Sequence, residues 1–129
     1  MNKIICTQTD FDCGLSEILL WIKNNKRTYN GVYGIPRGGI ALALYLSHGL
    51  NIPMLAGGIT ENSLVVDDIA DSGNAIRPYL ERSKCDVITL YRSKHCQLNP
   101  TFWVFDTDKW VVFPWEQHII QWKEDFLDD

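Results

Sequence analysis

Apolar segments of strand length alternate with segments of helical period along this chain of 129 residues. A chain patterned in this way is restricted to folds in which helical crossovers join the parallel strands of a sheet. Helical spacing is predicted over 11–23, 39–48 and 74–82. Strands are predicted over 31–35, 53–56, 64–66, 87–91, 102–105 and 110–113. We therefore expect an α/β fold with a mostly parallel, twisted sheet that is flanked by helices on both faces.

The residues around the predicted helices indicate where each begins or ends. Thr9 or Asp10 is expected to cap the first helix, since a short oxygen side chain accepts an unpaired N–H. Gly49 is expected to end the second helix. Pro78 is expected in the first turn of the third, where a missing N–H does little harm.

Composition excludes several classes of protein. The 12 Lys and Arg against 16 Asp and Glu give a net charge of −4, which argues against a partner that is a nucleic acid polymer. No apolar run reaches the roughly 18 residues of a membrane span, and the N-terminus is too polar for a signal peptide. The four cysteines form no Cys-x-x-Cys pair. We expect a single cytoplasmic domain over 1–129 with free thiols and no membrane partner.

The stretch 64–75 carries the most chemistry, because an apolar strand runs directly into two adjacent carboxylates, Asp67 and Asp68. Ligands of open α/β sheets bind beyond the carboxyl ends of the strands. Neighbouring carboxylates repel each other, and a cation or a pair of ligand hydroxyls would relieve that repulsion. The simpler alternative is that both carboxylates are solvated side chains before a turn.

Small residues follow the carboxylates and precede a predicted helix. A turn of this kind directs backbone N–H groups into one concavity, which suits a phosphate. Side chains of Ser72 and Asn74 offer further donors. A ligand with hydroxyls at one end and a phosphate at the other, such as a phosphorylated sugar, fits both features, although a plain turn with an N-cap would give the same residues.

The string Val65 to Ala75 resembles the phosphoribosyl-pyrophosphate (PRPP) signature of the type I phosphoribosyltransferases. The resemblance implies that Asp67 and Asp68 face the ribose hydroxyls and bind Mg²⁺ directly or through water. It also implies that Asp71 exchanges a proton with N7 of a purine. The residues that it assigns to the ribose and the 5-phosphate of PRPP are Asp67, Asp68, Ala70, Asp71, Ser72, Gly73, Asn74 and Ala75.

A second loop, Pro36-Arg37-Gly38-Gly39, follows the first predicted sheet strand. Glycines allow close approach of the backbone to a ligand, and Arg37 offers a planar fork of donors, although a tight turn with an exposed Arg is equally consistent. The loop is similar to the pyrophosphate-binding loop of the family. The resemblance implies a cis bond between Pro36 and Arg37, and a role for Arg37 in stabilising the leaving pyrophosphate.

The third segment, 108–116, is rich in aromatic residues, which are more often core than site. It resembles the hood of the small purine enzymes, here about residues 92–129. By resemblance Trp110 stacks on the purine, the backbone of Val111 reads the purine edge, and Glu116 matches an acid of the family pattern. Lys94 is expected at the 6-oxo group, with Arg92 as the alternative.

The resemblance implies an enzyme that moves ribose 5-phosphate from PRPP to hypoxanthine, guanine or xanthine with Mg²⁺, and a homodimer. One departure stands against it, because only residues 57–63 are available where the family has a long mobile loop over the site. Gly57 and Gly58 would be its hinge. A short lid keeps open a second function, that of a regulatory protein that binds PRPP or nucleotides without turnover. A generic interaction domain is the third alternative.

Overall fold

The computed structural model describes residues 2–116 and 125–126. Two α-helices, a five-residue π-helical turn at Pro78–Arg82 and a 3₁₀ turn at Pro114–Glu116 accompany six strands. The helices are α1 (Gln8–Asn24) and α2 (Gly39–Leu50). The strands are β1 (Lys3–Ile5), β2 (Val32–Gly34), β3 (Leu64–Ala70), β4 (Asp86–Ser93), β5 (Phe102–Thr107) and β6 (Trp110–Val112). Within the described part of the chain, no helix combines the length and apolarity that crossing a bilayer requires.

Four strands form the central sheet in the order β2-β3-β4-β5, and every pairing in it is parallel. This arrangement confirms the predicted α/β fold with a parallel sheet. β5 belongs to this sheet, so the stretch 92–129 supplies a sheet strand as well as the hood. A separate two-stranded parallel sheet pairs β1 with β6, which brings the N-terminus to the hood.

The two faces of the sheet are covered differently. Leu64 and Val66 of β3 pack with α1 and α2 on one face, because alternate residues of a strand point the same way. Val65 points to the other face, where it packs with Ile76 and the residues around the π-helical turn. The helix predicted over 74–82 is therefore only a turn at 74–76 followed by Pro78–Arg82. Pro78 occupies the first turn of that segment, as predicted.

Two helix ends differ from the predicted ones. Thr7 caps α1, and Asp10 completes a reciprocal capping box with it, so the helix begins before the predicted Thr9 or Asp10 cap. α2 continues through Gly49 and ends at Asn51, whose φ of 53° is the left-handed conformation. Asn accepts this conformation because its short polar side chain tolerates it better than most.

The strand predicted over 53–56 is reduced to a single bridge between Met54 and Val32. Pro53 has no N–H to donate to a ladder, which limits pairing at this edge beside β2. The carboxyl ends of the central strands meet at one edge of the sheet, which is where ligands of such sheets bind.

Candidate active site

Asp67 and Asp68 lie inside β3 rather than after it, because the strand continues to Ala70. Asp67 is only 8 % exposed, whereas Asp68 is half-buried. Each carboxylate accepts a hydrogen bond of 2.8 Å from the backbone N–H of the next residue, that is, from Asp68 and from Ile69. The local backbone therefore fixes the orientation of both side chains.

The two carboxylates are close enough to share a proton. Burial, reinforced by a hydrogen bond and charge repulsion from Asp68, raises the pKa of Asp67 to about 8. Burial thus favours the protonated form of the Asp67 carboxyl. A bound divalent cation would replace that proton, so the hard oxygen ligands of the pair fit Mg²⁺.

Protein side chains alone do not complete a metal site here. Within residues 2–116 and 125–126, no group of three or more His, Cys, Asp or Glu side chains is placed to hold a metal ion. Mg²⁺ commonly takes only one or two carboxylates from the protein and the remainder of its ligands from water and substrate phosphates. The Asp67–Asp68 pair has this composition.

A small hollow of about 90 Å³ follows β3. Gly73 adopts a φ of 99° at its turn, a conformation that favours glycine. The backbone N–H of Asn74 donates to the hydroxyl of Ser72 at 3.2 Å, so part of the predicted donor set is used within the loop. The hollow is lined by Ile69, Ala70, Asp71, Ser72, Gly73, Ala75 and Ile76, and not by Asn74.

The hollow lacks the full helix that the sequence predicts behind it. Only five residues, Pro78–Arg82, are helical there, and they adopt a π-helical turn. A long helix dipole therefore adds little at this position, and backbone N–H groups of the 71–75 loop are the main donors that an anion could meet.

The Pro36–Arg37 peptide bond is cis, as the resemblance implies. Gly38 lies directly against the carboxylate of Asp68, and a Cβ at Gly39 would overlap the backbone carbonyl oxygen of Val66. Pro36 and Arg37 are exposed. The loop 36–39 is therefore adjacent to the carboxylate pair through its two glycines.

A larger cavity of about 590 Å³ opens beside the hollow. Asp71 and Ile69 line both, so the carboxylate of Asp71 stands where the two spaces meet. Asp68 reaches the larger cavity, while Asp67 lies behind it and lines neither. The remaining lining residues are Asn2, Ser93, His95, Asp108, Lys109, Trp110, Val111, Phe113 and Glu116.

The wall of the cavity opposite β3 comes from the hood. Trp110 is 60 % exposed despite its size, because its ring borders the cavity instead of the core. Val111 beside it is buried. Glu116 accepts a hydrogen bond of 3.0 Å from the backbone N–H of Phe113, which closes the turn that follows β6. Trp115 stacks on Phe113 with a centroid distance of 5.1 Å and is a packing residue.

Neither of the two cations expected near the base lines the cavity. Arg92 forms an ion pair with Asp106 at 2.9 Å and lies 4.5 Å above the ring of Trp103. Lys94 is exposed, and its backbone N–H bonds to Thr107. Strand alternation explains both positions, because Ser93 between them points inward.

Ser93 and His95 take the place beside the cavity that was expected for Lys94 or Arg92. Nε2 of His95 lies 2.9 Å from Oδ1 of Asp71, and Nδ1 lies 2.8 Å from the hydroxyl of Ser93. Neither residue belongs to a motif identified in the sequence. Only the inward phase of β4 could have indicated Ser93.

Part of the predicted lid, residues 57–63, is held in place in the structure. The turn 60–63 is fastened by hydrogen bonds of 3.0 Å from the N–H of Thr60 to Ser63, and from Ser63 to Asn30. Ile59 packs against the core. A Cβ at Gly57 or Gly58 would meet no atom within 4 Å.

Comparison with known proteins gives the chain its relatives. No family model matches it. It is 28 % identical to the xanthine-guanine phosphoribosyltransferase of Idiomarina loihiensis over 70 % of this chain and 73 % of that protein. The purine phosphoribosyltransferase of Pyrococcus horikoshii is 26 % identical, with a TM-score of 0.77 over 91 % of this chain and 95 % of that one.

A further solved structure, the Helicobacter pylori xanthine-guanine-hypoxanthine phosphoribosyltransferase, shares the fold with a TM-score of 0.80 at 17 % identity. It covers 95 % of this chain and 99 % of that one. The resemblance indicated by the motifs is thus confirmed: the chain is similar in sequence to a xanthine-guanine and to a purine phosphoribosyltransferase, and it has the α/β fold of these phosphoribosyltransferases.

Proposed function

We propose that this chain transfers the 5-phosphoribosyl group of PRPP to N9 of a 6-oxopurine and releases pyrophosphate. The observation that carries the proposal is the position of Asp71, which borders both the small hollow and the large cavity. PRPP can place its 5-phosphate in the hollow while the purine base, the second substrate, occupies the cavity. Both spaces open at the carboxyl end of β3, where ligands of this class of sheet bind.

The PRPP end of the site is assigned to β3 and the loops beside it. Asp67 and Asp68 hold the ribose hydroxyls, and backbone N–H groups of 71–75 bind the 5-phosphate. Gly38 brings the backbone close to the Asp68 carboxylate, next to which the pyrophosphate is expected, and Gly39 lies against Val66 and Asp67. Arg37 stabilises the charge of the leaving pyrophosphate with its guanidinium group. Pro36, Ala70, Ser72, Gly73, Asn74 and Ala75 complete the proposed PRPP contacts.

Mg²⁺ is the proposed cofactor, with Asp68 and Asp67 as its protein ligands. When bound, it neutralises charge on the pyrophosphate. The chain's own contribution is to orient the sugar and hold its anionic groups in place, because no covalent intermediate with the protein is needed.

The base end is assigned to the large cavity. Trp110 provides a flat apolar surface, and base–aromatic stacking contributes about 1–3 kcal/mol. The backbone of Val111 reads the edge of the base, and Glu116 holds the turn after β6 by its bond to Phe113. N9 of the purine bonds to the anomeric carbon as the bond to pyrophosphate breaks, and the proton on N7 passes to the Asp71 carboxylate.

Pyrophosphate release tests the proposal directly. The chain is mixed with saturating PRPP, Mg²⁺ and hypoxanthine, guanine or xanthine, with adenine as the 6-amino control. Turnover with at least one 6-oxopurine is expected, and adenine is expected to give much less. Absence of product with all three would overturn the proposal. A homodimer with the same site in each copy is the proposed assembly, to be measured by sedimentation.

The alternative is a regulatory protein that binds PRPP or a nucleotide without turnover. One observation favours it, because hydrogen bonds tether the turn 60–63 and Ile59 packs against the core, so little of the predicted lid is free to move over the site. Exclusion of water strengthens electrostatic catalysis, and a short lid excludes less of it. Calorimetry that shows nucleotide binding by a chain with no turnover would select this function.

A further inference from the structure

The only polar side chains that β4 and the loop after it contribute to the described cavity wall are Ser93 and His95. His95 contacts Asp71 through Nε2 at 2.9 Å, and the hydroxyl of Ser93 lies 2.8 Å from Nδ1. Ser93 is buried, with 3 % of its surface exposed, so one end of this chain of contacts is fixed. The same hydroxyl lies 3.2 Å from Nε2, so it contacts the edge of the ring that carries both nitrogens. Nε2 faces Oδ1 of Asp71 and donates to it when it carries a hydrogen.

A second contact fastens the same loop to the 71–75 loop. The backbone N–H of Gln97 donates to the carbonyl oxygen of Ser72 at 3.1 Å. A Cβ placed on Gly73 would lie 2.9–3.1 Å from atoms of Leu98, so the two loops are tightly packed there. The position of His95 relative to Asp71 is therefore set by backbone packing as well as by its own hydrogen bond.

Asp71 needs such a partner. It is 67 % exposed on a loop, where a carboxylate can rotate freely. A general base acts only when its oxygen is held within about 2.6–3.2 Å of the proton that it takes. Within the described residues, Oδ1 of Asp71 contacts His95, whereas Oδ2 has no hydrogen-bond or ion-pair partner.

We propose that His95 is a positioning residue that holds Oδ1 of Asp71, so that Oδ2 is presented to the purine. This inference rests on the proposed transfer reaction and adds to it a residue that the family motifs do not indicate. Ser93 orients the imidazole in turn. His95 makes no bond to substrate in this role, so its removal should change turnover and leave PRPP binding as it was.

Steady-state kinetics of five variants test the inference. His95→Ala is expected to lower kcat about tenfold with the KM for PRPP unchanged, which marks loss of an interaction made only in the transition state. His95→Gln should recover most of the activity, because the amide N–H of glutamine reaches close to the position of Nε2. His48→Ala is the matched control, since His48 is an exposed histidine in the last turn of α2.

The Asp71→Asn background decides whether His95 acts through Asp71. Adding His95→Ala there should cause no further loss of kcat, as expected for two residues that act as a unit. A further tenfold loss in that background, or wild-type kcat in His95→Ala, would overturn the inference while the proposed function stands. A raised KM for PRPP with unchanged kcat would also overturn it. Absence of turnover by the wild-type chain would overturn both.

Discussion

The corner formed by the end of β3 and the loop after it is built differently from the hood wall that faces it. Residues 67–75 are consecutive, and their side chains bond largely to the backbone of the same stretch. The hood wall collects Asn2, the end of β4 and residues 108–116, which are distant in sequence. The corner is therefore a locally determined structure, whereas the wall depends on the pairing of β1 with β6.

The difference between the corner and the wall also predicts which variants change turnover and which change affinity for the base. Groups at the corner contact the sugar, the phosphate and the transferred proton in the proposed reaction, so changes there should reach turnover or the fold. Trp110 on the wall is largely exposed and contributes little to the core. A change at Trp110 should therefore alter affinity for the base alone.

Asp71→Asn should have the largest effect, because it removes the proposed base without changing the size of the side chain. General-base catalysis contributes typically 10²–10⁴-fold, so we expect kcat to fall by about 10²-fold or more. The rise in melting temperature on addition of PRPP with Mg²⁺ should persist. Asp108→Asn, on the wall of the same cavity, is the control and should retain most activity. Equal losses of turnover and PRPP binding would contradict the role of Asp71.

Gly39→Ala should be the most destabilising change, because Gly39 packs directly against β3 beside the corner. A Cβ there meets the carbonyl of Val66 and lies 3.0 Å from Cα of Asp67, and neither backbone atom can move aside freely. Overpacking of this kind costs about 1–3 kcal/mol. Urea unfolding measures it, with Gly57→Ala as the control because no atom lies within 4 Å of a Cβ at that position. Equal stability of the two variants would show that the loop 36–39 is not closely packed on β3.

The contrast between corner and wall also explains what could be predicted from the sequence. The parallel sheet and the grouping of Asp68 with 71–75 follow from a contiguous pattern of apolar and polar residues. The π-helical turn at Pro78–Arg82 and the continuation of α2 to Leu50 could not be predicted in this way. Intrinsic helix propensities differ by small free energies, and tertiary packing overrides them.

The partners of the base could not be predicted in the same way. Whether Arg92, Ser93 or Lys94 points inward depends on the phase of β4, which a shift of one residue reverses. His95 and Asp71, which contact each other, are 24 positions apart, and each of them lies in a loop without regular structure. No periodicity in the sequence encodes such a contact.

Trp110→Ala tests the wall and should weaken binding of the purine alone. Loss of one stacking surface costs about 1–3 kcal/mol, so the KM for the base should rise about tenfold. The KM for PRPP and the melting temperature should change little, because the ring is mostly exposed. Trp103→Ala is the control, since Trp103 lies beneath Arg92, away from the cavity. A matching rise in the KM for PRPP would show that the wall and the corner are not separable.

Asp67→Asn should have an effect of the opposite sign, a gain in stability without ligand. The pKa of Asp67 is raised to about 8, chiefly by burial and then by Asp68, against about 3.9 for an unfolded Asp. Between these pH values the native chain keeps a proton that the unfolded chain has lost, so wild-type stability falls as pH rises through this window. Asn does not titrate, and the advantage of the variant should grow from pH 4 to pH 8 and then level off. Thermal melts of the free protein measure this advantage, at roughly 4 °C for each 1 kcal/mol in a domain of this size. A variant that is less stable than wild type at pH 7 would mean that the buried carboxylate is ionised and stabilising, and the corner would then hold its charge without any cation.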